Sequence, residues 1–555
     1  MNRNVESHFA LNPTNIDIRR STFDRSHSLK TSFNVGDIVP FFLDEVLPGD
    51  TFNVDTSKVV RLQTLLTPVM DNIYLDTYFF FVPNRLTWSH WKQFNGENTE
   101  SAWIPQTEYE IPQITAPAES GWSVGTIADY LGVPTGVPAL SVSALPFRAY
   151  ALVMNEWFRD ENLSDPLVVP VDDATVAGVN TGTFVTDVAK GGLPYKAAKY
   201  HDYFTSCLPS PQKGPDVLIP SATTGEFPVV TRSSVYDDPD TVPMRFNSIF
   251  NSEIADVQLQ GNTGPTGSPS LSNWNGVSGI VPTNLYALSS GGLGASINQL
   301  RMAFQIQKLY EKDARGGSRY IEILKSHFGV TSPDARLQRP EYLGGNRVPI
   351  NINQVVQQSA TASGETAQGT VTGMSVTTDT HSDFTKSFTE HGFVIGVMVA
   401  RYDHTYQQGL ERFWSRKDRF DYYWPVFANI GEQAVKNKEI FAQGPGVKDS
   451  AGDVIDDQVF GYQEAWADYR YKPSRVTGEM RSQYAQSLDV WHLADDYTAL
   501  PSLSDSWIRE DKTNVDRVLA VTSTVSNQLF ADIYIKNRTT RPMPMYSIPG
   551  LIDHH

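Results

Sequence analysis

Apolar positions recur with a period of two near both ends of the chain and with a helical period between them. Over 37–47, Val39, Phe41, Leu43 and Leu47 share one face, and Pro40 predicts an edge strand or a bulge. Leu47-Pro-Gly-Asp50 is a turn signal. A half-buried strand is predicted over 57–67, where Val60, Leu62 and Leu66 alternate with Arg61 and Gln63. The strand over 72–82 is apolar on both faces. Ile73, Leu75, Phe79 and Phe81 lie on one, and Tyr74, Tyr78, Phe80 and Val82 on the other. Burial on both sides suits the middle of a packed sheet. Phe393 to Tyr402 is almost continuously apolar, and in 528–537 Leu529, Ala531, Ile533 and Ile535 oppose Asp532 and Lys536.

The helical signals fall between these strands. Thr87 is predicted to cap a short helix that exposes Trp88 and Trp91 and stops near Gly96. From Pro146 to Asp160, Phe147, Tyr150, Ala151, Met154, Trp157 and Phe158 follow the spacing of a buried helical stripe. Ser296-Ile-Asn-Gln299 is a capping box for a helix running to about Asp313, and a second helix over Ser318–Phe328 is closed by Gly329. Two stretches lack periodicity and are rich in polar and turn residues. Residues 215–296 carry no charge between Gln258 and Leu300 and predict a surface insertion; 352–380 predicts a long polar loop or hairpin tip. Residues 1–35 show no persistent period and predict an extended arm bearing Arg3, Arg19, Arg20, Arg25 and Lys30. Strands at both ends that pair around large insertions give a Greek-key or jelly-roll sandwich. The chain divides into the arm at 1–35, a first part of the sandwich with helical insertions at 36–214, the insertion at 215–296, and the remainder at 297–555.

Composition narrows the function classes. Aromatic residues make up 11% of the 555 positions, enough for a sizeable core, whereas charged residues are only 19%, below the usual quarter. The formal net charge of −17 makes the chain a poor condenser of DNA on its own. If it encloses nucleic acid, a local basic patch, cations or a small basic partner must supply positive charge. Cys207 is the one cysteine, so no intrachain disulfide and no cysteine-based zinc site can form, and a buried apolar role is expected for it. The polar N-terminus carries no signal-peptide run, and no apolar run approaches a membrane span, so a soluble protein is expected.

One cluster stands out chemically. Tyr469, Arg470, Tyr471, Lys472 and Arg475, followed by Arg481, interleave cations with aromatic rings. Cations neutralise phosphates and rings stack on unpaired bases, so these six are candidate contacts for single-stranded DNA. The competing reading is a structural loop with cation–π pairs at a subunit contact. A second cluster, Arg412, Arg416, Lys417 and Arg419 with Phe413, Trp414 and Phe420, reads first as a solvated or interface face. Carboxylates at Asp237, Asp238, Asp240, Asp456, Asp457, Asp495 and Asp496 read as turn and surface residues, with a glycosidase pair or calcium ligands as the sharper alternative. Gly291-Gly-Leu-Gly294 lacks the Gly-Lys-Ser/Thr ending of a phosphate loop. No catalytic residue, metal site or cofactor is assigned.

Several long blocks carry a resemblance. They include Thr67–Trp91, Arg25-Ser-His-Ser28, Asp202-Tyr-Phe-Thr205 with Pro209–Gly214, and Gln299–Glu311. Arg315–Tyr320, Tyr423–Glu432 and Gly461–Met480 add to them. In their order along the chain they resemble the major capsid protein of the gokushovirus branch of the Microviridae, small phages with single-stranded DNA. The resemblance implies a mainly β protein with helical insertions, built on an eight-stranded antiparallel jelly roll of the viral capsid type. It implies a T=1 icosahedral shell of sixty copies around circular single-stranded DNA, assembled in the bacterial cytoplasm and found in the virion. It also implies a small basic DNA-packaging protein, other virion proteins such as a pilot protein, and a host receptor. The insertion at 215–296 then corresponds to a protrusion where three subunits meet, with Gly264, Pro265, Thr266, Gly267 and Trp274 as candidate host-contact residues. The alternative is a carbohydrate-active β sandwich, either a glycan-binding module or a hydrolase.

Overall fold

Alternation along the longest strands builds two antiparallel sheets. A computed structural model describes residues 19–98, 107–217, 229–231, 246–248, 259–263, 269–273, 280–282, 285–287, 297–359 and 366–547. In chain order the strands are β1 (Ser21–Asp24), β2 (His27–Phe33), β3 (Val39–Val46), β4 (Thr51–Leu62) and β5 (Ile73–Pro83). They continue with β6 (Glu341–Pro349), β7 (Thr377–Ser387), β8 (Gly392–Tyr402) and β9 (Leu529–Arg541). One sheet runs β1-β9-β4-β7 with β2 also on β9, and the other runs β6-β5-β8-β3. β1 and β2 pair with successive parts of β9, Ser21 opposite Arg541 and Phe33 opposite Leu529, so together they occupy one strand position.

The sheets face each other across a shared core. Phe52, Val54, Val60 and Leu62 of β4 and Leu529, Ala531, Ile533 and Ile535 of β9 meet Ile73, Leu75, Phe79 and Phe81 of β5 and Val394, Met398 and Ala400 of β8. One end of this interior is polar. Lys58 points inward from β4 and is 2% exposed, held by Asp379 at 3.2 Å and Thr77 at 3.3 Å, and Thr56 donates to Asp383 at 2.7 Å. At that edge the sheets approach closely. A Cβ on Gly344 would lie 2.3 Å from the Asp383 carbonyl oxygen, so only glycine fits there.

The second sheet is buried on its outer face too. Phe80 and Val82 of β5 and Ile395, Val397 and Val399 of β8 pack beneath α1 (Leu145–Val153) and its continuation, the π-helical turn Met154–Phe158. This accounts for the two apolar faces of β5, which sits between β6 and β8. The predicted stripe Phe147, Tyr150, Ala151, Met154, Trp157 and Phe158 forms the underside of that cover.

Other expectations need correction. Trp88 is buried, not exposed, and its indole donates to Asp173 at 2.6 Å. Thr87 belongs to the short helix Asn84–Thr87, and His90 precedes the next turn, Trp91–Phe94. β4 stops at Leu62, after which Leu65 is buried and Leu66 is exposed, because the chain leaves the sheet and alternation no longer sets which side chain points inward. β3 is an edge strand with a bulge opposite Gly396/Val397, as Pro40 suggested. The bulge also splits its predicted single face: Val39, Phe41 and Phe42 enter the shared core, while Leu43 packs on the outer cluster. Residues 21–33 of the expected arm are strands, held by backbone pairing to β9 even though their own side chains are mostly polar.

Residues 297–316 form α2 (Ile297–Gly316), and α3 (Tyr320–Phe328) ends at Gly329 with φ +69°, where the predicted glycine stop falls. The stretch at 352–380 contains a hairpin, Ile352–Val356 against Val371–Ser375. Residues 214–311 are a separate compact unit. Within it three antiparallel pairs nest: Val229–Thr231 with Leu285–Ala287, Phe246–Ser248 with Ile280–Pro282, and Leu259–Thr263 with Pro269–Asn273. Gly264, Pro265, Thr266, Gly267 and Trp274 lie outside the described residues, as do Asp237, Asp238, Asp240, Gly291-Gly-Leu-Gly294 and Ser296 of the capping box.

Candidate nucleic-acid interface

A small third core positions the basic–aromatic cluster. Tyr203, Phe204, Cys207, Tyr406, Val435 and Phe460 bury one another beside the hairpin Glu432–Lys436 and Val459–Glu464. Cys207 is buried as expected, and burial pushes its thiol pKa up, so it stays protonated and unreactive. After the hairpin, Trp466 takes a left-handed conformation, φ +66°, rare for an aromatic residue. Its indole donates to the Phe427 carbonyl at 2.9 Å, which fixes the turn Ala467–Tyr469. Ser474–Arg475 then pairs in parallel with Thr405–Tyr406, which brings it beside residues 410–416.

The result is a cavity of about 430 Å³ between two segments about sixty residues apart in sequence. Of the six predicted DNA contacts, Tyr469, Tyr471, Lys472, Arg475 and Arg481 line it, and Arg470 does not. Arg470 pairs with Glu464 at 2.5 Å. The second cluster contributes Arg412, Phe413, Trp414 and Arg416 to the same walls, a convergence that sequence spacing did not indicate. Lys472 and Arg475 share one carboxylate, Glu411, at 3.1 and 2.7 Å. Two cations on one anion leave a net positive charge there. Arg416 pairs with Asp468 and lies over the Tyr469 ring at 4.4 Å, while Arg481 donates to the Gln407 carbonyl at 2.6 Å. Phe413, Trp414, Tyr469 and Tyr471 remain exposed around the rim. Glu411 was not singled out in the sequence; nothing in its local pattern marks it.

Exposed apolar side chains continue from this rim through Phe420, Tyr422, Tyr423, Trp424, Val426 and Ile430, with Val426 88% exposed. Exposed apolar side chains in this number are a feature of association surfaces.

The carboxylate pairs have structural work. Asp456 accepts from the Gln443 and Gly444 amides at 2.9 and 2.8 Å, and Asp457 holds Lys436 and Lys438. Asp495 is buried against His404 at 3.0 Å, and Asp496 accepts from Gln408 at 3.2 Å. Among the described residues no three His, Cys, Asp or Glu side chains are grouped to hold a metal ion, and no helix is long and apolar enough to cross a membrane.

The family described as capsid protein (F protein) of phages matches residues 13–551. The chain is 44% identical to capsid protein VP1 of Chlamydia phage 1, over 99% of this chain and 98% of that protein. It is 42% identical to capsid protein VP1 of Spiroplasma virus 4, over 96% of each, and 42% identical to that of Bdellovibrio phage phiMH2K, over 99% and 98%.

The chain belongs to the phage F capsid protein family.

Its relatives are gokushovirus capsid proteins, as the sequence resemblance implied. It is therefore a structural protein of a phage virion, not an enzyme, and the hydrolase alternative falls away. A capsid protein works by assembling into a multimeric shell.

Proposed function

We propose that the chain is the subunit of a T=1 shell of sixty copies that encloses circular single-stranded DNA. The observation that carries this reading is near full-length similarity to capsid proteins VP1 of three phages. The strand order supports an eight-stranded jelly roll. Counting β1/β2 as one, the strands run first-eighth-third-sixth in one sheet and fifth-fourth-seventh-second in the other. Chains that alternate between sheets in this way, with one adjacent pair joined by a long insertion, trace two Greek keys. Assembly buries apolar surface that a single subunit leaves exposed, and closed symmetry stops growth at a fixed size. The insertion at 215–296 forms a protrusion, with Gly264, Pro265, Thr266, Gly267 and Trp274 at its host-facing part.

The DNA-facing candidates remain Tyr469, Arg470, Tyr471, Lys472, Arg475 and Arg481. Glu411 moderates the charge of two of them, and the net charge of −17 calls for a small basic partner to hold most of the genome. A pilot protein and a host receptor complete the partners of this reading, and assembly takes place in the host cytoplasm.

Sedimentation with electron microscopy of the full chain, co-expressed with other virion proteins, tests the assembly. Closed shells of one size are expected, both for the natural chain and for a variant with a shortened Gly261–Ser270 tip. Loss of shells in the variant would make that segment part of the scaffold. Replacing Arg470, Lys472 and Arg475 together by alanine is expected to lower packaged DNA by about half or more while empty shells still form. Equal loss of both would make the cluster a subunit contact.

A further inference from the structure

A second pair of cavities lies away from the basic–aromatic cluster. The first, about 380 Å³, is walled by Tyr78, Phe80, Trp157, Phe158, Tyr200 and Tyr342. The second, about 610 Å³, is lined by Arg315, Arg319, Lys325, Glu161 and Glu322 among others. The two share Arg159, Asp160, His201 and Arg319, so an aromatic chamber lies beside a cationic one. Both volumes lie in the range of small-molecule sites.

Most charges here are already matched. Arg319 takes Glu161 at 2.5 Å and Glu322 at 3.3 Å, Arg401 takes Asp76 at 2.7 Å, and Arg315 takes Glu432. Asp160 spends one carboxylate oxygen on the Asn162 and Leu163 amides of its own turn. That leaves Arg159 and Lys325 with no carboxylate partner among the described residues. The Arg159 side chain makes one hydrogen bond, to the Ser164 carbonyl at 3.0 Å, and its Nε is buried without a partner. The Nε atoms of Arg319 and Arg401 are buried and unpartnered as well. Buried donors left unsatisfied beside a cavity are groups that an anionic ligand would satisfy. His201 is exposed at the shared mouth.

The rings pack on one another, and the exposed part of Tyr342 is the surface on which a flat ring would stack. Tyr342 is 41% exposed and stands 5.7 Å from Phe80 and 5.8 Å from Trp157, ring centre to ring centre. A ligand with a planar apolar head and an anionic end fits both chambers at once, and a nucleotide has that chemistry. We propose that the two adjoining cavities bind one nucleotide unit, its base in the aromatic chamber and its phosphate in the second, beside Arg159, His201 and Lys325. The site does not depend on the DNA contacts assigned to Tyr469–Arg481. The reading of the chain as a DNA-enclosing subunit bears only on where the nucleotide comes from.

The test uses the full-length unassembled subunit with three probes: dTMP, inorganic phosphate and a labelled five-residue oligothymidylate. Saturable binding of a nucleotide probe is expected. Tyr342→Ala should weaken it about tenfold, the usual effect of losing one stacking ring. Lys325→Ala, at an exposed side chain that should leave folding intact, should weaken it several-fold and flatten its salt dependence. Val525→Ala, at an exposed side chain outside every cavity described, should leave this binding unchanged, whereas nucleotide binding that falls with Lys472→Ala and not with Tyr342→Ala belongs to the other cavity and overturns the proposal. Full displacement of the oligomer by dTMP identifies a free nucleotide as a sufficient ligand. Binding of the oligomer alone, with the same losses in both variants, identifies a segment of a strand. The proposal is overturned if inorganic phosphate competes as well as dTMP, if no nucleotide probe binds, or if both variants bind as the natural chain does.

Discussion

His404→Ala is expected to destabilise the subunit by about 3–5 kcal/mol, because it strips the counter-charge from two buried carboxylates. The ring is 1% exposed and lies between Asp495 at 3.0 Å and Glu510 at 3.1 Å. Burial works against its charge, but Glu510 and Asp495 outweigh that and raise its pKa to about 9, from an ordinary 6.5. A folded-state pKa above the unfolded value means that the contribution is complete below about pH 6.5. It is lost as pH rises through about 9. Asp495 behaves in the opposite sense. Burial raises its pKa, but His404 and Lys199 dominate and hold the carboxyl well below the ordinary 3.8. Its contribution is therefore present above that value and fails only in stronger acid. Urea unfolding of the unassembled subunit at pH 6 and pH 9.5 checks this. The natural chain should lose midpoint between the two, and the variant should start lower and change less. An unaltered midpoint at pH 6 in the variant would refute a charged, matched triad. The network matters for architecture as well as for stability. Asn514 reaches Tyr402 at 3.0 Å and the Leu493 carbonyl at 2.6 Å, which ties the segment before β9 to the end of β8.

Phe79→Ala should cost a similar amount, about 3–5 kcal/mol, by a different cause. Phe79 is fully buried and meets Phe41 at 5.3 Å, Phe42 at 5.8 Å and Phe384 at 5.3 Å, so its ring bridges the two sheets. Truncation leaves a void that rings fixed on three other strand positions cannot fill. The midpoint in urea should fall with little change in slope. Val525→Ala, at a side chain 79% exposed, should leave the midpoint nearly in place. A Phe79→Ala midpoint equal to that of the natural chain would show that the sandwich core is not packed as described.

The alternation in β5 and β9, the α1 stripe and the Gly329 stop could be read directly, because each depends on neighbours within one or two turns or strand steps. The burial of Trp88 has no local signal, because the indole's hydrogen-bond partner, Asp173, lies far along the chain. The strands at 21–33 leave no local signal, because their order comes from backbone bonds to β9, about five hundred residues away, and not from apolar side chains of their own. The basic–aromatic residues were visible as a string. Their pairing with Glu411, the separation of Arg470 from the rest, and the entry of Arg412–Arg416 into the same cavity were not.

The sequence by itself determined the β-rich class, the doubly buried strand, the covering helix and, through its long shared blocks, membership of the capsid family. These follow from local periodicity, turn chemistry and ordered similarity. Only the tertiary structure decided which sheet each strand joins, where the bulge in β3 redirects its side chains, and which charges are already neutralised. It also brought His404 between two carboxylates and set an aromatic chamber beside a cavity lined by Arg159 and Lys325. Those outcomes depend on contacts between residues far apart in the chain, and electrostatic and packing energies are fixed by distance in space, which sequence spacing does not encode.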